Sequence, residues 1–184
     1  ARQHSTCAWI KKLQNDALGL IIEQYNKDSN LQSKHIQMRI VDMFQDQLKK
    51  LNRNKIPMRD LVITKRVSKR IEDFKVNTET KCALLRAKAL GQKIPPGRKV
   101  NFVVTKGNSN SLKSRVLLAE ELSFYQNVVP NIPHYTGLAR RAIWAILGPF
   151  GWSDEEILSG KKFTTLFDFF NPFVSQSAMD DSAC

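Results

Sequence analysis

The side chains that most often perform catalysis or bind metals are scattered in this sequence. The histidines and cysteines are His4, His35, His134, Cys7, Cys82 and Cys184. No two histidines have metal-ligand spacing, and the cysteines lie too far apart to encode a disulfide framework or a cysteine zinc site. We interpret Cys7 and Cys82 as small core residues and His35 as a surface residue. Unpaired cysteines also favour a reduced, intracellular compartment.

The acidic residues occur in short runs rather than in a constellation. These runs are Glu72-Asp73, Glu120-Glu121, Asp154-Glu155-Glu156 and Asp180-Asp181. Adjacent carboxylates on one turn can bind magnesium, but they usually stay solvated. No glycine-rich phosphate loop precedes a helix. We therefore expect no catalytic residue and no metal site in this chain.

The basic residues are concentrated in the middle third of the chain. The 184 residues carry a net charge of +12, and residues 49–106 hold seventeen Lys and Arg against four acids. Evenly scattered charge would favour a merely solvated surface, whereas this concentration favours a surface that faces phosphates. The cations stand at strand ends and turns without interleaved aromatic residues. That arrangement suits the backbone of a duplex better than a single strand, with binding independent of base sequence and weakened by salt.

Helices and strands must position these cations. Apolar residues at three- and four-residue spacing predict helices over Ser5–Tyr25 and over a second segment that stops before Pro57, and we expect these two to pack as an antiparallel pair. The core positions of the second helix are Ile36, Ile40, Phe44, Leu48 and Leu51. Further helices are predicted over Glu79–Leu90 and Tyr135–Leu147. Ser153 and Glu156 fit a capping box that starts another.

Three short strands are predicted in the middle, at Leu61–Thr64, Val100–Val104 and Val116–Leu118. The first leads into the basic run 65–70, and the second follows the rigid turn Pro95-Pro96-Gly97. Buried candidates elsewhere are Phe74, Ala83, Leu84, Ala87, Leu90, Phe102, Phe124, Tyr125, Leu138, Ile143, Trp144, Ile146 and Leu147. The fold class is α+β, mostly helical with a small mixed β region in the middle and a flexible tail. The longest apolar runs are too short to span a bilayer.

Several ordered segments resemble the thumb of family B DNA polymerases. They are DLVITK at 60–65, EDFK at 72–75, GQKIPPGRKVNFVV at 91–104, RVLLAEE at 115–121, IL at 146–147 and FGW at 150–152. Residues 1–12 resemble the segment that leaves the palm. The resemblance implies three parts: a palm-exit segment with the first helix (1–25), a thumb (26–160) and a tail (161–184).

The resemblance also implies a division of labour. The catalytic aspartates of the family hold two magnesium ions in the palm, and none of their motifs is present here, so no cofactor is expected in this segment. The thumb would grip the primer–template duplex while the palm and exonuclease domains belong to the complete polymerase. The candidate phosphate contacts are Lys65, Arg66, Lys69, Lys93, Arg98, Lys99 and Lys106.

The tail contains a segment that resembles the clamp-binding peptide of several polymerases. Its candidate residues are Phe163, Leu166, Phe169 and Phe170, with the aliphatic residue three positions before an aromatic pair. On a short helical turn these would fill a pocket of the sliding clamp. The alternative is that the aromatic residues fold back on the thumb as core.

Three functions stay open on the sequence. The leading one is the thumb end of a replicative DNA polymerase, working in the nucleus of a eukaryote or otherwise in the cytoplasm or a virus-infected cell. The second is a separate small subunit of a split polymerase, and the third is a stand-alone basic DNA-binding protein. Exposed apolar surface at Trp9 and Ile10, where a palm would dock, would favour the first two. A chain that opens with Ala1-Arg2-Gln3 is compatible with a piece of a longer protein.

Overall fold

The computed structural model describes residues 6–27, 34–107 and 111–162. The helices are α1 (Ala8–Lys27), α2 (Lys34–Asn52), α3 (Glu79–Ala89), α4 (Ile132–Leu147) and α5 (Asp154–Ser159). The strands are β1 (Ile63–Arg66), β2 (Lys99–Val104) and β3 (Val116–Leu118). The predicted fold class is confirmed: the described chain is mostly helical, with one small sheet in its middle. Of the predicted tail, only Lys161 and Lys162 are described.

The second helix buries the apolar stripe that its spacing predicts. In α2, all five predicted core residues are buried, and Phe44 and Leu51 are fully so. α1 packs against α2 and α4, and α4 also contacts α5. None of the helices in the described ranges is long and apolar enough to cross a membrane.

The sheet is antiparallel, in the order β1-β2-β3. Ile63 pairs with Phe102 across β1 and β2, and Phe102 pairs with Leu118 across β2 and β3. α3 packs against β2 and β3. Thr78 caps the start of α3 by accepting a hydrogen bond from the Lys81 amide, and Gly91, with a φ of 76°, follows its end in the left-handed region that glycine tolerates.

One tyrosine connects the helices to the sheet. The side chain of Tyr135, on α4, is completely buried. Its hydroxyl donates to the carbonyl of Leu61 at 2.8 Å and accepts from the amide of Val104 at 3.0 Å. Burial raises the pKa of Tyr135, because the ionised form would lose its hydration. The buried apolar residues of the helices and the sheet form a single cluster.

The start of α4 differs from the prediction. The helix begins at Ile132, because the side chain of Asn131 caps it by accepting a hydrogen bond from the His134 amide at 3.0 Å. Pro133 therefore lies in the first turn, where its missing N–H costs nothing. The capping box of α5 is confirmed, with Ser153 and Glu156 exchanging hydrogen bonds.

The prediction of burial is wrong for four residues: Trp144 is 49% exposed, Leu90 51%, Tyr125 50% and Phe124 81%. Trp144 lies along its own helix end, where a Cβ added to Gly148 would come within 3.1 Å of the indole ring. Leu90 lies one residue beyond the end of α3. Tyr125 covers the guanidinium of Arg86 at 5.8 Å. Nothing in the described structure explains the exposure of Phe124.

The exposed apolar surface of the first helix is not at Trp9 and Ile10, where the sequence analysis placed it. Trp9 and Ile10 are buried at 4% and 1% exposure, and the Trp9 indole N–H donates to the Gln47 side chain at 3.1 Å. The exposed apolar residues of α1 are Leu18, Ile22 and Tyr25, at 46%, 60% and 57% exposure. Their spacing of four and three residues places them on one face of the helix.

Candidate nucleic-acid interface

The β1–β2 pair places two cations opposite each other at one end of the sheet. Arg66 is the register partner of Lys99, and Thr64 is the partner of Asn101. Residues that lie directly opposite in a sheet share a face, so all four project from the same face. The Thr64 hydroxyl donates to Asn101 Oδ1 at 2.7 Å. This face of β1–β2 is therefore polar, exposed and cationic at one end.

The turn before β2 adds a third cation to this end. Gly97 donates its amide to the Val67 carbonyl, and Val67 donates to the Arg98 carbonyl, both at 2.8 Å. Gly97 has a φ of 89°, which a residue with a side chain rarely adopts. The Arg66 Nε atom donates to the Gly97 carbonyl at 3.2 Å. The backbone thus holds Arg98 beside Arg66.

Lys69 completes what we call the basic surface, which consists of Arg66, Lys69, Arg98 and Lys99. All four side chains are exposed. The Lys69 ammonium lies 4.9 Å from the centre of the Phe74 ring, which is itself buried. No acidic residue of the described ranges forms an ion pair with any of the four. A polyanion would therefore meet four cations that no described carboxylate neutralises.

The other three predicted contacts lie apart from the basic surface. Successive residues of a strand point to opposite faces, so Lys65 projects away from Arg66, and it is half-buried. Lys106 follows the far end of β2, and seven residues of extended chain separate it from Lys99 by roughly 23 Å. Lys93 is exposed and precedes the proline turn. The clamp-binding candidates Phe163, Leu166, Phe169 and Phe170 lie outside the described residues.

Another cation of the same region is bound internally. Arg86, on α3, donates two parallel hydrogen bonds to the carboxylate of Glu121, at 2.5 and 2.8 Å. One oxygen of that carboxylate also accepts from the Leu118 amide at 2.9 Å. Burial acts to raise the pKa of Glu121, but the hydrogen bonds from Arg86 and Leu118 outweigh it and the net shift is downward. The sequence feature that could have indicated this pair is Arg86 itself, a cation next to the apolar residues of the helix predicted over Glu79–Leu90.

A histidine to which the sequence analysis gave no role lies in the first turn of α4, beside the start of α3. His134 Nδ1 is 3.7 Å from the carboxylate of Glu79, and its Nε2 is buried with no hydrogen-bond partner among the described residues. Burial lowers the pKa of His134, Glu79 opposes this, and the charges of Arg141 and Lys65 add to the lowering. This environment therefore favours the neutral imidazole over the charged form.

Metal coordination needs several ligands in one place. Across residues 6–27, 34–107 and 111–162, no group of three or more His, Cys, Asp or Glu side chains could hold a metal ion. The described residues thus do not fit the magnesium site that the resemblance places in a polymerase palm.

Comparison with known proteins supports the resemblance in sequence and in fold. Over 117 residues the chain is 25% identical to a DNA polymerase of Thermococcus litoralis, covering 64% of this chain and 7% of the relative. It is 28% identical over 137 residues to DNA polymerase 2 of Aeropyrum pernix, covering 70% of this chain and 16% of the relative. The chain thus spans a small fraction of the length of these relatives.

A solved structure shares the fold. The family B DNA polymerase of Pyrobaculum calidifontis matches 77% of this chain with a TM-score of 0.56 and 22% identity, over 17% of its own length. The family model of DNA polymerase family B matches residues 2–147, from before α1 to the end of α4. Because that match covers most of the chain, this chain belongs to DNA polymerase family B.

Proposed function

We propose that this chain is the thumb portion of a DNA-directed DNA polymerase and that it grips the backbone of the primer–template duplex during replication. The basic surface is the observation that carries this proposal. Its four cations lack described acidic partners, and backbone hydrogen bonds hold in place the sheet end that carries Arg66 and Lys99 and the turn that carries Arg98. Long side chains on directly opposite strand residues can reach neighbouring phosphates together.

In this proposal the chain positions and does not catalyse. Residues 1–25 lead from the palm, residues 26–160 form the thumb, and a palm and an exonuclease domain supply the chemistry. Magnesium, when held by palm aspartates, supplies the nucleotidyl-transfer chemistry. Holding the duplex in register lowers the entropic cost of bringing the primer end to the nucleotide. Lys93, which precedes the turn, and Lys65 and Lys106, which lie apart, would extend the grip along the duplex.

The test is a charge reversal of the basic surface. The triple variant Arg66→Glu, Arg98→Glu and Lys99→Glu removes about three phosphate contacts, so the slope of log affinity against log salt should flatten by about 2.7. The loss should be equal for duplexes of different base sequence. Fluorescence anisotropy with a labelled primer–template duplex, over a range of salt concentrations, measures both.

A matched control carries the same change in charge elsewhere. Lys11→Glu, Lys12→Glu and Lys34→Glu alter exposed residues of α1 and α2 and should leave the salt slope at its wild-type value. Equal slopes for the two triple variants would contradict the thumb-grip proposal, because the binding would then follow net charge alone.

We further propose that Phe163, Leu166, Phe169 and Phe170 bind the sliding clamp. A tether to a clamp would raise the local concentration of the polymerase on DNA. Phe169→Ala with Phe170→Ala should abolish capture of the chain on immobilised clamp while DNA affinity stays unchanged, and Phe173→Ala serves as the control. Capture that persists in the double variant would rule this motif out.

The exposed face of α1 favours a polymerase subunit or segment over a stand-alone DNA-binding protein. Leu18, Ile22 and Tyr25 are at 46%, 60% and 57% exposure on one helix face. A protein that works alone gains nothing from such a stripe, whereas a larger polymerase can cover it. This observation supports both the continuous polymerase and the split polymerase in which a separate chain carries the palm.

A further inference from the structure

A groove with an apolar floor lies next to the basic surface. It has a volume of about 800 Å³ and runs between the turn Ile71–Asp73, the end of α3 and the proline turn. Its apolar lining residues are Ile71, Leu84, Ile94, Pro95 and Pro96. We call it the proline groove. A phosphate backbone has nothing to bind on such a floor, whereas bulky apolar side chains of a peptide do.

The rim of the proline groove is cationic. Arg70, Lys88 and Lys93 line it together with a single acid, Glu72. All three cations are exposed, and none forms an ion pair with an acid of the described ranges. The matching ligand is therefore a peptide that combines bulky apolar side chains with carboxylates.

The chain itself contains such a peptide. Residues 163–184 carry five phenylalanines and three aspartates and have no Lys or Arg. The chain enters this segment from Lys162, whose ammonium donates to the Phe150 carbonyl at 3.2 Å and lies 5.3 Å from the Trp152 ring. Twenty-two extended residues reach about 70 Å, against a diameter of about 40 Å for a domain of this size. Every face of the protein is within reach.

We propose that residues 163–184 bind in the proline groove of the same molecule, with apolar side chains on the floor and aspartates towards the rim. Beside the competing apolar face, at Leu18, Ile22 and Tyr25, the cations Lys27 and Arg39 both pair with Glu23. Tethering sets a millimolar effective concentration, so weak contacts suffice for occupancy. This proposal is independent of the clamp proposal, although the two sites would compete for one segment.

Occupancy of the groove has a consequence for the basic surface. Arg70 directly follows Lys69, and Pro96 is two residues before Arg98, so the groove and the surface adjoin. Three aspartates held there would reduce the local positive field and hence the affinity for a polyanion. Release of the segment would restore it.

The test uses the full chain with a nitroxide on Cys184. Cys7 and Cys82 are each 1% exposed, so their burial directs the reagent to Cys184. Paramagnetic broadening should remove most of the amide signal intensity of Gly91, Gln92 and Ile94 and spare that of Leu18 and Ile22. The effect should not change on dilution, since the contact is intramolecular.

Two charge-reversal pairs complete the design. Arg70→Glu with Lys88→Glu should restore the lost amide signals, whereas Lys11→Glu with Lys12→Glu, also exposed, should not. Intact groove signals in the wild type, broadening of α1 instead, or broadening that disappears on dilution would overturn the proposal. So would broadening that survives the groove pair while duplex affinity falls, because the groove would then serve DNA. None of these outcomes depends on the charge reversal of the basic surface, so the failure of one proposal is distinguishable from that of the other.

Discussion

Arg86 and Arg66 belong to the same basic third of the chain but lie in opposite environments. The side chain of Arg86 is 16% exposed and that of its partner Glu121 is 9% exposed, and the Arg86 guanidinium also donates to the Lys113 carbonyl. The side chain of Arg66 is exposed, and its described hydrogen bond is the one that it donates to the Gly97 carbonyl. One arginine is part of the internal structure, and the other is available to a ligand.

This difference shows what local charge counting misses. Glu121, which neutralises Arg86, and Asp46, which pairs with Lys50, both lie outside the segment 49–106, so that segment presents fewer cations to its surroundings than its composition implies. The position of each acid in three dimensions decides which cations can bind phosphate. Three experiments test this difference between buried and exposed charges.

The largest effect is expected for the stability contribution of the buried pair of Arg86 and Glu121. Glu121→Ala leaves the Arg86 guanidinium partly buried without its counter-charge and deprives the Leu118 amide of its acceptor. The free energy of unfolding should fall by about 3 kcal/mol. Urea denaturation followed by circular dichroism measures this loss.

The control is the adjacent acid. Glu120 is exposed and its carboxylate accepts from the Gln92 side chain at 2.9 Å, so Glu120→Ala should change stability by less than about 0.5 kcal/mol. Because the pKa of Glu121 is lowered in the fold, its contribution is present above the ordinary carboxyl range and is lost as the pH falls through its folded pKa. Wild type and Glu121→Ala should therefore converge in acid. Equal losses for the two variants would contradict the internal role of Glu121.

A smaller effect separates the two arginines. Arg66→Ala should flatten the salt slope of duplex binding by about 0.9 and change stability by less than about 0.5 kcal/mol. Arg86→Ala should do the reverse, lowering stability without changing the slope. Salt titrations and denaturation of both variants test this pair, and an equal loss of slope for Arg86→Ala would refute the distinction.

The smallest effect is expected for His134, which lies among charges of both signs. Glu79, Lys65 and Arg141 line one cavity beside it, and Lys106 and Arg115 line the adjoining one. Its folded pKa is lowered, so the unfolded chain takes up a proton first as the pH falls below about 6.5. Stability should then decline gently through that range. His134→Gln should abolish this decline and His35→Gln, at an exposed site, should keep it; thermal melts at several pH values decide.

Local chemistry made much of the fold predictable. The strand at Val116–Leu118, the capping box of Ser153 and the stripe of α2 each depend on residues within a turn or two of one another. The solvent exposure of Trp144 and Phe124 was not predictable, because periodicity places a residue on one face of an element without showing whether another element covers that face.

The candidate site was predictable only in part for a similar reason. Basic composition identified Arg66 and Lys99, but only the strand register shows that they are partners while Lys65 faces away. The bond between Arg86 and Glu121 spans 35 positions, and the Tyr135 hydroxyl reaches a carbonyl 74 positions away. No local pattern encodes contacts at such separations.

The hydroxyl of Tyr135 has a consequence for how the molecule opens. It joins α4 to Leu61, two residues before β1, and to Val104, the last residue of β2, which are distant from each other in the chain. The sheet therefore cannot detach from the helices as a separate cooperative unit without breaking this link. In hydrogen exchange, the Val104 amide should open only with global unfolding, among the slowest in the protein. The basic surface is carried on this sheet, so force applied to that surface is transmitted to the helices rather than absorbed by a hinge.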